Sequence, residues 1–317
     1  MKSHQHTASQ PSSKSGLILL RKGLYYNSKK DSYVIEIDDK ESLGVISVGL
    51  QLTKRCDAGC IHCAASQTSA ELSTNSMIKL IQKLHDEGCV RVSFTGGEPL
   101  LRSDLPEILK ASKEVGMVNT LSTNGLKLNR ELIQKIKPYI NNIRFSLHGL
   151  ELTNDYIFQK KGAYRTIIEK IKLAQSEGLS VGVVFSSMRS NQTELIELAK
   201  ELGKLGVEKL IIFTLMSAGR AQDLFAEEFV HVSELNEQIE KINKLVKKMN
   251  WNLEVTLVDW RLEGQCLLID PMGTLYAYDL SQDDHYLRLG NALEEDVRDL
   301  WHKFPHKENY FKYYQHH

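Results

Sequence analysis

The sequence predicts an α/β fold: a partial (β/α)6 barrel of the TIM type, with a small C-terminal α+β module and a short N-terminal β-hairpin extension. Between positions 45 and 250, short apolar runs rich in β-branched residues alternate six times with segments of helical period. Strands that alternate with helices pair in parallel through right-handed crossovers. Six such units are fewer than the eight that close a complete barrel, which predicts an open one.

The strands of this barrel are predicted at 45–52, 90–94, 118–122, 142–147, 180–185 and 208–213. The helices are predicted at 73–87, 105–115, 130–137, 164–177, 194–205 and 234–249. The first helix shows the pattern well, because its apolar residues recur on one face: Met77, Leu80, Ile81 and Leu84.

The domain organisation follows from changes in this pattern. Residues 1–16 are polar and predict a flexible tail, and residues 17–44 predict a β-hairpin extension. The barrel takes residues 45–250. Residues 251–317 predict a separate module, with short strands at 253–258, 267–269 and 274–278 and a helix at 294–303.

Composition excludes some classes of function. Lys and Arg number 40 and Asp and Glu number 40, which argues against a broad nucleic-acid-binding face. No apolar run approaches the ~20 residues of a membrane helix, and the first residues carry no signal-peptide core. These observations predict a cytoplasmic protein with neither a membrane nor a nucleic-acid partner.

Three of the five cysteines lie within eight residues, directly after the first predicted strand: Cys56, Cys60 and Cys63. Such clustering favours metal binding over disulfides. Three thiolates on one loop can ligate three irons of a cubane cluster and leave the fourth iron open for a ligand. The alternative is a zinc site, although zinc sites usually pair two Cys-x-x-Cys knuckles and only one is present here.

A second motif, Gly96-Gly97-Glu98-Pro99, follows the second predicted strand. Glycines lack a Cβ atom, so the backbone can approach a ligand closely. The carboxylate of Glu98 suits an ammonium group through a charge-assisted hydrogen bond, and Pro99 stiffens the exit of the loop.

With both motifs in this order, the sequence resembles the radical S-adenosylmethionine (SAM) superfamily over about residues 45–220. The resemblance implies one 4Fe–4S cluster on Cys56, Cys60 and Cys63. It also implies that the methionine part of SAM chelates the open iron, with Glu98 and the Gly96–Gly97 backbone holding its amino group.

The resemblance implies further cofactor contacts at the ends of later strands, where barrel ligands collect. They fall on Ser122, Asn124, Ser146, Ser187, Asn191 and Met216. His148 stands where close relatives have Asp, and Gly219-Arg220 matches a pair common in peptide-maturing members.

The C-terminal module resembles a degenerate SPASM or twitch domain that has lost its auxiliary-cluster cysteines. Cys266 is the one cysteine it contains, and one thiol does not hold a normal auxiliary cluster, so a single cluster is expected. We treat Cys266 as a candidate hydrogen-atom donor to a substrate radical, with a packed core cysteine as the alternative.

The resemblance implies reductive cleavage of SAM and hydrogen abstraction from a peptide or natural product, as in the maturation of a ribosomal peptide. A flavodoxin or ferredoxin would supply the electron. One alternative is a small-molecule epimerase, dehydrogenase or decarboxylase acting on a sugar or aminoglycoside-like compound. A remote alternative is a non-catalytic zinc or nucleic-acid-binding module.

Overall fold

The computed structural model describes residues 17–21, 23–27, 32–64, 70–261, 267–278 and 286–316. A ten-stranded sheet forms its centre, and a three-stranded antiparallel sheet precedes it. The small sheet consists of β1 (Leu17–Arg21), β2 (Leu24–Asn27) and β3 (Ser32–Ile35). The predicted N-terminal hairpin is therefore confirmed, and it carries one additional strand.

Seven neighbouring strands of the described chain are parallel and follow the chain order from β4 to β10. They are β4 (Ser47–Gln51), β5 (Arg91–Thr95), β6 (Val118–Thr123), β7 (Asn142–Ser146), β8 (Val181–Ser186), β9 (Lys209–Phe213) and β10 (Glu254–Val258). The predicted α/β partial barrel is confirmed. The strand expected at 253–258 belongs to this sheet, because β10 pairs in parallel with β9.

The C-terminal strands extend the same sheet from its other end. β11 (Leu267–Ile269) runs parallel to β4, and β12 (Thr274–Tyr278) and β13 (Tyr286–Asn291) follow it in antiparallel order. The module is thus joined to the barrel through backbone hydrogen bonds.

The helices of the described chain lie between and after these strands. They are α1 (Thr74–Asp86), α2 (Leu105–Glu114), α3 (Arg130–Ile136), α4 (Glu151–Phe158), α5 (Ala163–Ser176), α6 (Leu195–Leu205), α7 (Phe225–Glu228), α8 (Val232–Met249), α9 (Val297–Lys303) and α10 (Lys307–His316). None of the helices in the described ranges combines the length and apolar character that a membrane crossing needs.

Local sequence explains where these helices begin and which face they bury. The side chain of Ser73 caps α1 by accepting a hydrogen bond from the Ser76 N–H, and Asn129 caps α3 in the same way through Leu132. The predicted apolar face of α1 is buried against the sheet. The short helix α4 escaped prediction, because Leu152 and Tyr156 point outwards and weaken its apolar period.

Aromatic side chains bridge the two ends of the ten-stranded sheet. The ring of Trp260, just after β10, stacks on Phe213 at 4.8 Å between centroids and meets Tyr278 of β12 edge-on at 6.4 Å. The hydroxyl of Tyr286 in β13 lies 2.9 Å from the sulfur of Met216. In the described strands, no backbone hydrogen bonds join the two ends of this sheet, so the side chains make the connection.

A buried arginine fixes the backbone around the carboxyl end of β4. Arg102 donates from Nη1 to the carbonyl oxygens of Leu52 and Leu72, at 2.9 and 3.2 Å. Its Nε and Nη2 bind the Asp104 carboxylate at 2.9 and 2.6 Å, and these hydrogen bonds lower the pKa of Asp104 to about 2. The Arg102 guanidinium thus holds together the chain segments around Leu52, Leu72 and Asp104.

We expect Arg102→Gln to lower the free energy of unfolding by about 3 kcal/mol, because breaking a buried ion pair leaves the Asp104 charge and two carbonyls without their donor. Urea denaturation followed by circular dichroism measures this. Lys135→Gln, which removes an exposed ion pair with Glu131, is the control and should unfold close to the wild type. Equal effects of the two substitutions would contradict the role assigned to Arg102.

Candidate active site at the carboxyl ends of the strands

A cavity of about 400 Å³ opens at the carboxyl ends of the parallel strands. Many of the residues predicted from sequence meet on its wall, and they come from five different loops or strand ends. They are Cys56, Cys60, Cys63, Gly96, Gly97, Ser122, Asn124, Ser146 and Met216. Others lie behind the wall: Glu98, Pro99, Ser187 and Asn191.

The cysteine loop, residues 56–64, is held by backbone hydrogen bonds from both sides. The N–H groups of Gly59 and Ile61 donate to carbonyls at the end of α4, at 3.1 and 3.0 Å. On the other side, the N–H and Nε of Arg220 donate to the carbonyls of Cys63 and Cys60 at 2.9 and 2.8 Å. Neighbouring segments therefore hold the shape of this loop from both sides.

None of the three cysteines is in a disulfide, and all three are partly buried. Burial raises the pKa of Cys60 to about 12 and also raises that of Cys56, with the neighbouring thiolates adding to both shifts. Buried thiolates so close together need a cation to offset their charge, and bound iron supplies one.

The chemistry of these donors suits a cluster. Among the described residues, no three His, Cys, Asp or Glu side chains converge on a point that one metal ion could share. A cubane cluster does not require convergence, because each thiolate binds a different iron. An all-sulfur donor set also matches the preference of iron–sulfur clusters.

The glycines of the second motif are needed for contact between two loops. A Cβ atom on Gly96, whose φ is +147°, would lie 2.4 Å from the Thr53 carbonyl oxygen. One on Gly97 would lie 2.2 Å from that of Arg55. Gly97 and Glu98 also donate their N–H groups to these two carbonyls. The predicted role of the glycines is to admit a ligand. In the structure they also let the glycine loop, residues 96–99, pack on the segment that leads into the cysteine loop.

The Glu98 carboxylate lies fully buried behind the cavity wall. It accepts hydrogen bonds from the Thr123 hydroxyl at 2.7 Å, the Asn124 N–H at 2.7 Å and the Leu100 N–H at 2.9 Å. Burial raises its pKa to about 7, although these three donors act in the opposite direction. The carboxylate thus fastens the glycine loop to the end of β6, and its contact with an ammonium group stays a prediction.

Asn124 continues this connection to the cysteine loop. Its Nδ2 donates to Asp57 Oδ1 at 2.8 Å and lies 3.8 Å from the sulfur of Cys56. The second carboxylate oxygen of Asp57 is buried with no hydrogen-bond partner in the described part of the chain. Asn124 therefore positions the first cysteine while it faces the cavity.

Two histidines form part of the wall, and both are neutral near pH 7. The rings of His62 and His148 meet edge-on with centroids 4.3 Å apart. Burial lowers the pKa of His62 to about 4 and lowers that of His148 as well. The Ser186 N–H donates to His148 Nδ1 at 3.0 Å, which leaves the proton of the neutral ring on Nε2.

Ser187 and Asn191 support the wall from behind. The Asn191 amide donates to the carbonyls of His148 and Ser186, both at 2.9 Å, and its Oδ1 accepts from the Met188 N–H at 2.7 Å. The Ser187 hydroxyl is buried with no hydrogen-bond partner among the described residues. Their predicted direct contact with a cofactor stays a prediction.

Sequence reasoning missed part of the wall. Arg144, Phe158, Phe213, Trp260 and Tyr286 also line the cavity. Arg144 could have been predicted to line the cavity, because it lies two residues before Ser146 and alternate residues of a strand share a face. Trp260 carried no such signal, since its position depends on how β10 pairs. Cys266 lies outside the described residues.

We expect Gly97→Ala to separate the two loops, because the new methyl group would meet rigid backbone. The free energy of unfolding should fall by about 2 kcal/mol, as for other overpacked sites, and the iron retained after anaerobic reconstitution should fall by more than half. Gly59→Ala is the matched control in the cysteine loop, since its Cβ would meet Gln159 at an ordinary 3.4 Å. Full iron content in Gly97→Ala would contradict this account of the loop contact.

Comparisons with known proteins agree with this geometry. The family model described as "Radical SAM superfamily" matches residues 50–202. Fe-coproporphyrin III synthase of Methanosarcina barkeri is 30% identical over 224 residues, which are 68% of this chain and 56% of that protein. Sporulation killing factor maturation protein SkfB of Bacillus subtilis is 24% identical over 294 residues, which are 89% of this chain and 68% of that protein.

A solved structure shares the fold. Streptococcus suis SuiB bound to S-adenosylmethionine aligns with a TM-score of 0.70 at 16% identity, over 83% of this chain and 67% of that one. The chain spans only 56% of the length of the first curated relative. The family model, the curated relatives and the two loop motifs agree: this chain belongs to the radical SAM superfamily.

Proposed function

We propose that this enzyme holds one 4Fe–4S cluster on Cys56, Cys60 and Cys63, cleaves SAM reductively and removes a hydrogen atom from a peptide substrate. The observation that carries the proposal is the position of three cysteines, none of them in a disulfide, on the wall of a cavity that the glycine loop and the ends of β6 and β7 complete. When bound, the cluster supplies one electron to the sulfonium of SAM, and the radical chemistry belongs to these cofactors.

The residues of this chain bind and orient the cofactors and the substrate, and they exclude water from the cavity. Ser122, Asn124 and Ser146 present polar groups to the cavity, and Met216 presents an apolar surface suited to adenine. Glu98 and Asn191 hold backbone behind the cavity through hydrogen bonds. Direct contact of Glu98, Pro99, Ser187 and Asn191 with a cofactor stays a prediction. Rings of Phe158, Phe213 and Trp260 make much of the remaining wall apolar, which strengthens electrostatic contacts inside.

A peptide substrate is supported by SkfB, a relative that is named as a maturation protein and that matches most of this chain. The Gly219-Arg220 pair gives no further support for a peptide, because its contacts are internal. Arg220 binds carbonyls of the cysteine loop, and a Cβ on Gly219 would lie 2.5 Å from the Cys63 carbonyl oxygen. This pair serves the cluster site instead.

A small-molecule substrate is the second candidate. Fe-coproporphyrin III synthase matches 68% of this chain, and its name specifies a non-peptide product. In either case, an electron carrier such as a flavodoxin or ferredoxin completes the reaction.

We propose a single cluster, because the sequence holds five cysteines and only Cys266 lies after the barrel strands. The anaerobically reconstituted protein should contain about four irons and four sulfides per chain. Alanine at Cys56, Cys60 or Cys63 should abolish this content and the formation of 5′-deoxyadenosine from SAM.

Cys89→Ala is the matched control for these variants. Its thiol is buried and faces the carbonyls of Ile46 and Arg91, so the variant should keep its iron. About eight irons per wild-type chain would contradict the single-cluster proposal, and loss of iron from Cys89→Ala would contradict the assigned ligand set.

We also propose Cys266 as the hydrogen-atom donor that quenches a substrate radical. Cys266→Ala should leave 5′-deoxyadenosine formation intact and divert the product to a dehydrogenated species, which mass spectrometry of the product detects. The same product at the wild-type rate would show that Cys266 is structural.

A further inference from the structure

The outer side of the cysteine loop forms a surface that the reaction in the cavity does not use. Cys56, Cys60 and Cys63 line the cavity, whereas Gly59 of the same loop is exposed. The end of α4 packs against this loop through the hydrogen bonds from Gly59 and Ile61. At Gly59 the loop therefore lies between the cavity and the solvent.

The most exposed large hydrophobic side chains of the described residues lie beside this loop. Leu152 is 85% exposed and Tyr156 is 61% exposed, and both belong to α4. They are four residues apart, so they share one face of the helix. Exposed apolar groups that cluster in this way mark interaction sites.

Positive charge surrounds this apolar pair. Lys160 and Lys161 follow α4 directly and are exposed, and the ammonium group of Lys160 donates to the Asp57 carbonyl at 3.1 Å. Arg220, also exposed, holds the Cys60 carbonyl from the opposite side of the loop.

The neighbouring carboxylates are already engaged. Glu151 pairs with Arg165 at 2.6 Å, and Asp155 accepts hydrogen bonds from the N–H groups of Gly162 and Tyr164. The surface around Leu152 and Tyr156 is thus apolar at its centre. On the side that faces the cluster loop, the exposed cations Lys160, Lys161 and Arg220 outnumber the carboxylates of Asp57 and Asp155.

We propose that Leu152, Tyr156, Lys160 and Lys161, here called the α4 surface, dock a small acidic electron-carrier protein of the flavodoxin or ferredoxin type. This inference rests on the proposed function, which requires one external electron per cleavage. An apolar centre with a charged rim is the usual anatomy of a transient interface, and complementary charge accelerates encounter. The carrier loses one electron, the cluster gains it, and no bond is formed.

The experiment compares two reductants on the reconstituted full chain. Formation of 5′-deoxyadenosine from SAM is measured with dithionite, which needs no docking, and with flavodoxin kept reduced by its NADPH-dependent reductase. The variants are the double substitution Leu152→Ser with Tyr156→Ser, and Lys161→Glu. Each should raise the flavodoxin concentration at half-maximal rate roughly fivefold or more and leave the dithionite-driven rate unchanged. Added NaCl should slow only the flavodoxin-driven reaction.

Two exposed residues of α8 provide matched controls. Met249→Ser, at a side chain 48% exposed, and Lys244→Glu should behave as the wild type with both reductants. The docking proposal is overturned if the α4 variants match the wild type with flavodoxin, or if their dithionite-driven rate falls equally. If the wild type forms no 5′-deoxyadenosine even with dithionite, the proposed function fails, and the docking proposal fails with it.

Discussion

The buried carboxylate of Glu98 is the interaction on which the rest of the site depends. A carboxylate removed from water is unfavourable unless hydrogen bonds replace its hydration, and here donors from Leu100, Thr123 and Asn124 do so. These donors belong to the exit of the glycine loop and to the end of β6. The Asn124 side chain in turn donates a hydrogen bond to Asp57. The Glu98 carboxyl group thus links the glycine loop, β6 and, through Asn124, the cysteine loop. Displacing any of these segments takes hydrogen-bond donors away from a buried polar group, which makes the arrangement cooperative.

The sequence predicted most of this architecture, and its errors have physical reasons. Alternating apolar runs located the parallel strands, and the two loop motifs located the site. The glycine loop shows the limit of such reasoning, since Gly96 would be required equally for a ligand or for the carbonyl of Thr53. The same holds for Asn191, because an asparagine after a strand can face a ligand or bind backbone. Strand β10 was predicted, but its pairing with β9 was not, because strand pairing depends on residues distant in the sequence.

The electrostatics of the cavity follow from burial. His62 and His148 both have a lowered pKa, since an imidazolium in this wall would be poorly solvated. Both rings are therefore neutral near pH 7 and add no positive charge to a site proposed to receive a sulfonium cation. Burial raises the pKa of the Cys56 and Cys60 thiols, so their thiolates gain stability from a bound cation. Burial of the cavity wall thus has two consequences: it favours the neutral form of the histidines and the metal-bound form of the cysteines.

The cysteine loop presents the proposed cluster ligands on its inner side and binds basic side chains on its outer side. Its sulfur atoms face the cavity, while its carbonyls are bound from outside by Arg220 and Lys160. These cations offset part of the charge that the proposed iron-bound thiolates would carry, and because they are exposed they also set the charge of the outer surface. The same groups therefore contribute to the stability of the loop and to the attraction of an anionic partner. Such coupling explains why basic residues occupy this rim, although the chain as a whole carries no net charge.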